Sequence, residues 1–316
     1  MMAPLYLDCD TGVDDALALA FLLRSRAQIA GIGTVSGTVS SAAAARNTLH
    51  LLELAERTEI PVAVGRNSPL AGPFAGGAAH VHGNGGLGSV AVPTPRVKPV
   101  ASSATDLLIE LSHLHARRLA ILAIGPLTNL ADALEKDPSL PERIAHVTVM
   151  GGAVNAPGNV TPVAEANIWN DPEAASVVFN ASWEITLVPL DVTMQHLITA
   201  VEVQELAASP DRLLATVARA LETYLDFYTS VFMSRSAALH DPLAAAIAVD
   251  ALSVTSTIEG ILTVDTSAGP ERGRTTCRPL ETSADGQARQ SVVLATEPAL
   301  PVIMAAFRRP GGAVRL

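Results

Sequence analysis

The chain has 316 residues, 49% of them hydrophobic and 16% charged, so it has material for a buried core and is not a disordered segment. Its formal net charge of -10 argues against a nucleic-acid polymer as partner and suits a cation or a neutral small molecule. Cys9 and Cys277 are too few for a disulfide scaffold, which leads us to expect a reducing, cytoplasmic setting.

Residues 5–7 read as a strand and 14–24 as a helix. Strands at 29–35 and 61–64 flank a helix at 41–57. A helix at 107–115, a strand at 119–124 and a helix at 127–135 follow, then a strand at 144–150, a helix at 172–179 and a strand at 184–188. This alternation predicts an α/β fold with an open, mainly parallel sheet and helices on both faces, a Rossmann-type core. Such sheets bind ligands at the carboxyl ends of their strands. Beyond residue 195 the pattern weakens. Helices are expected at 201–208, 212–230 and 242–249, strands at 260–264 and 289–295, and a turn at Asp285-Gly286. This tail reads either as an addition to the same sheet or as a small subdomain. No composition shift marks a linker, so residues 1–316 are read as one domain. No basic segment followed by an apolar stretch opens the chain, and every apolar run is broken before the ~18 residues of a membrane helix, so neither a leader nor a membrane partner is expected. The segment 66–99 is rich in Gly and Pro and contains His80, His82 and Asn84, which favours a functional loop.

Asp8, Asp10, Asp14 and Asp15 place four carboxylates within eight residues, after a predicted strand and at the start of a predicted helix. One or two would serve as caps and complement the helix dipole. Four like charges this close raise one another's pKa or require a cation. A hard divalent ion resolves the conflict, and Ca²⁺ takes roughly 6–8 oxygen ligands. Asp8 is the member that could serve only to cap or orient.

This segment closely resembles the DxDxGxDD signature of the nucleoside hydrolase family of the inosine-uridine preferring type. Gly37 with Arg46-Asn47 and Leu51-Leu52-Glu53 resembles the family's second helix, and His82-Gly83-Asn84-Gly85-Gly86-Leu87-Gly88 its HGxxGLG loop. Gly125-Pro126-Leu127-Thr128-Asn129 resembles its GPLTN turn. Met150-Gly151-Gly152, Gly158-Asn159, Ala164-Glu165-Ala166-Asn167 and Asp171-Pro172-Glu173-Ala174-Ala175 resemble its central block, and His240-Asp241-Pro242-Leu243-Ala244 its HDPLA element. The blocks keep the family order across residues 5–244.

The resemblance implies a nucleoside hydrolase-like fold, Ca²⁺ at the carboxyl edge of the sheet, and hydrolysis of the N-glycosidic bond of ribonucleosides to ribose and free base. It also implies a role in nucleoside salvage or catabolism and a homodimer or homotetramer. Carried over by motif, Asp10, Asp15, Asp241 and the main-chain carbonyl of Ile124 bind the ion. Asp14 and Asn167 hold the ribose 2′- and 3′-hydroxyls, and Asn159 and Glu165 the 5′-hydroxyl. Met150 lies near the sugar, and His82 contacts the base or orders its loop. Asp10 is the candidate base for the attacking water, and His240 the candidate acid for the departing nucleobase.

Two positions depart from the family pattern. Thr38 stands where Asn is common, and Ala166 where an aromatic is common; both bear on the fit around sugar and base. Cys9 reads as a small buried hydrophobe. Tyr224, Phe227, Tyr228 and Arg235 read by default as helix packing, but the corresponding family region lines the base pocket, which makes Tyr228 and Arg235 pocket candidates. The sequence does not fix the base preference.

Two other classes fit part of the pattern. Asp8-x-Asp10 after a strand also resembles the haloacid-dehalogenase type phosphatases, with Asp8 as nucleophile and Mg²⁺ as metal. That reading leaves Asp14-Asp15, GPLTN and HDPLA unexplained. A non-catalytic, Ca²⁺-dependent ribose or nucleoside binder is the other, left open by Thr38 and Ala166.

Overall fold

The computed structural model describes residues 3–25, 27–280 and 289–308. Its strands, in chain order, are β1 (Pro4–Cys9), β2 (Gln28–Thr34), β3 (Val62–Val64), β4 (Leu119–Ala123), β5 (Ile144–Met150), β6 (Ile185–Val188), β7 (Leu197–Thr199), β8 (Ser236–Ala238), β9 (Val254–Val264), β10 (Thr275–Pro279) and β11 (Gln290–Thr296). Nine of them form one sheet in the order β10-β9-β11-β6-β5-β4-β1-β2-β3, and β7 and β8 form a separate ribbon. From β3 across to β11 all neighbours are parallel; β9 alone runs against the strands beside it.

Both faces of this sheet are covered, as a parallel sheet requires. Along β1, Leu5, Leu7 and Cys9 enter one core while Tyr6 enters the other. The helices Val13–Arg24, Arg212–Phe232, His240–Ala248 and Ala299–Phe307 pack on the first face. Ala104–Leu114, Thr128–Lys136 and Pro172–Phe179 pack on the second. Strand order reverses at β1, between β2 and β4, which opens a crevice beyond their carboxyl ends. Asp10 follows β1, Ile124 follows β4 and Met150 ends β5, so all three stand at that edge.

The tail is an addition to the sheet. β11 pairs in parallel with β6, and β9 and β10 extend the edge. Strand β9 is longer than expected because its first residues are exposed and polar, without the alternation that marks a half-buried strand. The expected turn at Asp285-Gly286 lies outside the described residues. The helix expected at 41–57 ends at Leu54, and Glu56 follows with a φ of 57°. The helix expected from 107 begins at Ala104 because the Ser103 hydroxyl caps it, accepting from Asp106 N at 3.1 Å. The ribbon β7–β8 and the helices Ala166–Asn170 and Ala299–Phe307 are additional to the elements expected from the sequence. Among the described residues, no helix is long and apolar enough to cross a membrane.

One glycine under the site has a steric reason. An ideal Cβ at Gly33 would overlap the Tyr6 hydroxyl and lie 2.7 Å from Asp8 Oδ1. Gly33→Ala is therefore expected to cost about 1–3 kcal/mol, read as a lower urea midpoint. An unchanged midpoint would show that the Tyr6 ring can move aside.

Candidate active site

After β1 the chain turns through Asp10, Thr11 and Gly12 into the helix Val13–Arg24. Thr11 takes a φ of 20°, a strained value for a non-glycine residue. Asp15 folds back on this turn, accepting from Gly12 N at 2.8 Å and from Asp10 N at 3.2 Å. Asp241 arrives on the first turn of His240–Ala248. Asp14, Asp15 and Asp241 offer carboxylate oxygens that all lie within 4.8 Å of one another, and all three are buried. Asp14, expected on the sugar, thus stands among the carboxylates of the cluster. Asp10 lies beside them. Its carboxylate accepts from Thr38 N, and the absence of side chains at Gly37 and Gly125 leaves it room: an ideal Cβ on Gly125 would sit 3.0 Å from Asp10 Oδ1.

Burial pushes Asp10 up to about 6, against the bond from Thr38 N–H, with Asp14 adding to the rise. Burial first, then the neighbouring carboxylates, hold Asp15 and Asp241 well above the usual range. Among the described residues the basic group within ion-pair reach of the cluster is His82, 3.7 Å from Asp14. Burial lowers the His82 pKa, so it is a poor counterion. A set of hard oxygen donors that the protein itself leaves unneutralised fits a divalent cation.

Asp8 has a different part. It is fully buried on the Tyr6 side of β1 and accepts from Asn129 Nδ2 at 2.9 Å and from the Tyr6 hydroxyl at 3.3 Å. Asn129 also donates to Thr34 O at 3.2 Å, so Asp8 ties β1 to β2 and to the GPLTN turn. A carboxylate with no open face cannot act as a nucleophile, which counts against the phosphatase reading.

Next to the cluster, Asn167 bridges two strand ends. Its Nδ2 donates at 3.1 Å to the carbonyls of both Ile124 and Met150. Glu165 is buried and caps the helix Ala166–Asn170, accepting from Gly152 N at 2.9 Å, Asn167 N at 2.8 Å and Ile168 N at 3.2 Å. Burial still raises it to about 7. Asn159 is exposed, and its Oδ1 accepts from Ala166 N at 2.9 Å. The two residues expected at the 5′-hydroxyl are thus joined through one short helix.

The opposite wall comes from Arg212–Phe232 and the Gly-rich loop. The short helix Ala79–His82 places His82 over the turn that follows β1, where Nδ1 accepts from Val13 N at 3.2 Å. His80 is exposed and meets Phe227 edge-on. Tyr224 donates to Asp14 Oδ2 at 3.0 Å and packs on Tyr228, with ring centroids 4.8 Å apart. The Tyr228 hydroxyl lies 2.6 Å from His240 Nε2, and His240 Nδ1 lies 2.8 Å from Thr193 Oγ1. Burial lowers the His240 pKa to about 4. Arg235 is not brought into this wall; it is exposed and paired with Glu222 and Asp226.

Two contributors were missed from sequence. Thr193 is a bland residue type 47 residues from its partner His240, whereas Tyr224, read by default as helix packing in a region that lines the family's base pocket, proves to bond Asp14. Asn47, in the second-helix block, is the other; its Nδ2 donates to Thr11 O at 3.0 Å and Gly85 O at 2.8 Å, joining the turn after β1 to the Gly-rich loop.

Comparison with known proteins bears on this arrangement directly. The family described as inosine-uridine preferring nucleoside hydrolase matches residues 5–300. A probable uridine nucleosidase 2 of Arabidopsis thaliana is 38% identical over 271 residues, 85% of this chain and 84% of that protein. Among solved structures, a plant nucleoside hydrolase superposes with a TM-score of 0.92 at 31% identity, covering 98% of this chain and 100% of that one. A purine-preferring ribonucleoside hydrolase from Gardnerella vaginalis superposes with a TM-score of 0.89 at 32% identity, covering 96% of each chain. With the carboxylate cluster at the switch point of the sheet and a match that spans nearly its whole length, the chain belongs to the inosine-uridine preferring nucleoside hydrolase family.

Proposed function

We propose that this enzyme hydrolyses ribonucleosides with one Ca²⁺ held by Asp10, Asp15, Asp241 and the carbonyl of Ile124. Hydrolysis of the ribonucleoside N-glycosidic bond is the reaction of its family. The observation that carries the reading is the buried, unneutralised carboxylate cluster, bordered by Asn167 on one side and the Tyr228–His240 pair on the other. When bound, the ion would supply Lewis acidity that makes water a better nucleophile near neutral pH.

The protein's own groups do the rest. Asp10 accepts the proton of the water that attacks C1′. Asp14 and Asn167 orient the ribose 2′- and 3′-hydroxyls, with Met150 beside the ring, and Asn159 and Glu165 take the 5′-hydroxyl. The surrounding carboxylates stabilise the positive charge that develops on the sugar as the bond to the base breaks. His240 supplies a proton to the departing base through the Tyr228 hydroxyl, which takes the Nε2 proton as it gives up its own. Burial makes the protonated imidazole scarce but strongly acidic, and negative charge growing on the base draws the proton in. His82 orders the Gly-rich loop against Val13 and faces the same space.

A panel of inosine, adenosine, guanosine, uridine and cytidine, scored for ribose release, tests the reading. Ribose binding without release of free base would favour the non-catalytic binder instead. We propose further that the enzyme acts as a single domain in a homodimer or homotetramer, which sizing by light scattering would check. The unpaired Cys9 and Cys277 are in keeping with a cytoplasmic setting.

Metal analysis should find about one equivalent of Ca²⁺, as one oxygen-ligand site implies. A chelator should abolish ribose release and added Ca²⁺ restore it. Affinity should weaken as pH falls below 7, because Asp10, Asp15 and Asp241 hold protons more tightly than ordinary carboxylates and the ion must displace them. A pH-independent affinity would show that other groups bind the ion.

A further inference from the structure

The ribbon β7–β8 adds nothing to the nine-stranded sheet, yet it joins two segments that meet at the site. Leu197 pairs with Ala238, Ile198 with Ala237 and Thr199 with Ser236. The ladder continues one step further, with Leu239 N donating to His196 O at 2.8 Å. His196 N in turn donates to Thr193 O at 3.2 Å. A run of main-chain bonds therefore sets Thr193 in register with the residue before His240.

We propose that Thr193 is a positioning residue for the reaction, holding the His240 imidazole so that Nε2 stays on the Tyr228 hydroxyl. The two contacts, 2.8 Å at Nδ1 and 2.6 Å at Nε2, grip opposite sides of the ring. Thr193 is fully buried, and its hydroxyl has no other hydrogen-bond partner among the described residues. Helical threonines usually turn the hydroxyl to a carbonyl of the preceding turn. Thr48 and Thr229 do so here, bonding Ala44 O at 2.9 Å and Leu225 O at 2.6 Å. Thr193 instead spends its hydroxyl on the imidazole. Without it, Nδ1 is left buried and unpaired, and the ring is free to leave Tyr228.

This inference rests on the reading that the Tyr228–His240 pair serves the departing base. The test compares Thr193→Val, which removes the hydroxyl at nearly constant shape, with Thr193→Ser, which restores it. His240→Ala is run in parallel. Each is assayed on inosine or uridine and on p-nitrophenyl riboside, whose leaving group needs little proton assistance. Leaving a buried donor or acceptor unpaired typically costs about 5–150-fold, so Thr193→Val should lower kcat on the nucleoside by a factor in that range with KM little changed. It should spare the activated riboside, and Ser should recover most of the lost rate. Thr193→Ala serves the same comparison if Val does not fold.

A Val variant with the unmutated rate, a Ser variant as slow as Val, or equal losses on both substrates would overturn the proposal. If His240→Ala is selective for the poor leaving group while Thr193→Val is inert, the His240 reading stands and the Thr193 inference falls. If His240→Ala shows no selectivity, the reading beneath both fails.

Discussion

Asp10→Asn is expected to remain folded and to lose turnover on every ribonucleoside. The amide keeps an oxygen that can accept from Thr38 N–H, so the turn after β1 retains its main contact. It cannot accept a proton, and it brings no charge to the sugar face. General acid–base catalysis contributes typically ~10²–10⁴-fold, and loss of the metal-side charge adds to that deficit. The activated riboside should lose as much as inosine or uridine, because the water must give up its proton whichever group departs. Ca²⁺ content is measured alongside. A variant that keeps its metal and its rate would remove Asp10 from the base role. Stability should move the other way. Burial holds the Asp10 pKa at about 6, above its ordinary value, so the ionised carboxylate present at pH 7.5 opposes folding of the metal-free chain. The neutral amide relieves this, and in chelator the variant should melt above the unmutated protein.

The parts of the molecule that are legible in the sequence are those whose signals are local. Strand β1 is a short apolar run that breaks into carboxylates, and the helix after it has apolar spacing and acidic residues in its first turn. Repeating that pattern as far as β6 is enough to predict a parallel sheet, because parallel neighbours need crossover helices. The carboxylate cluster is legible for the same reason: Asp10, Asp14 and Asp15 stand close together in one short segment, and Asp241 sits in a recognisable block.

Other features depend on contacts across long stretches of chain. Tyr224 reaches Asp14 across 210 residues, and Thr193 reaches His240 across 47. The threonine draws no attention where it stands, and the tyrosine reads first as helix packing. Each strand of the β7–β8 ribbon has three residues, too few for a period to register. Glu165 resembles a sugar ligand in its block, yet the structure shows it capping a five-residue helix through Asn167 N and Ile168 N while also accepting from Gly152 N. A cap and a substrate contact can share one carboxylate, because its two oxygens offer about four lone-pair sites.

His240→Ala should separate the two ends of the reaction. In the proposed mechanism Asp10 acts on the water, which every substrate shares. His240 there acts on the leaving group, so its loss should matter most where that group is poor. Both ring nitrogens are committed, to Thr193 and to Tyr228, and neither bonds a cluster carboxylate, so in this mechanism the ring's proton reaches the base by way of the Tyr228 hydroxyl. Removing the ring leaves the Tyr228 hydroxyl without its partner in a buried wall, so part of the loss will come from the tyrosine as well. On inosine or uridine the variant should be slower by about 10²–10⁴-fold, the usual contribution of a positioned acid. On p-nitrophenyl riboside it should keep most of its rate, since that anion departs without a proton. Ca²⁺ content should match the unmutated protein, because Asp241 is retained on the same helical turn. Equal slowing of both substrates at full metal occupancy would mean that His240 only supports the wall. The proton would then have to come from His82, the other buried imidazole facing this space, and His82→Ala would be the variant that discriminates between leaving groups.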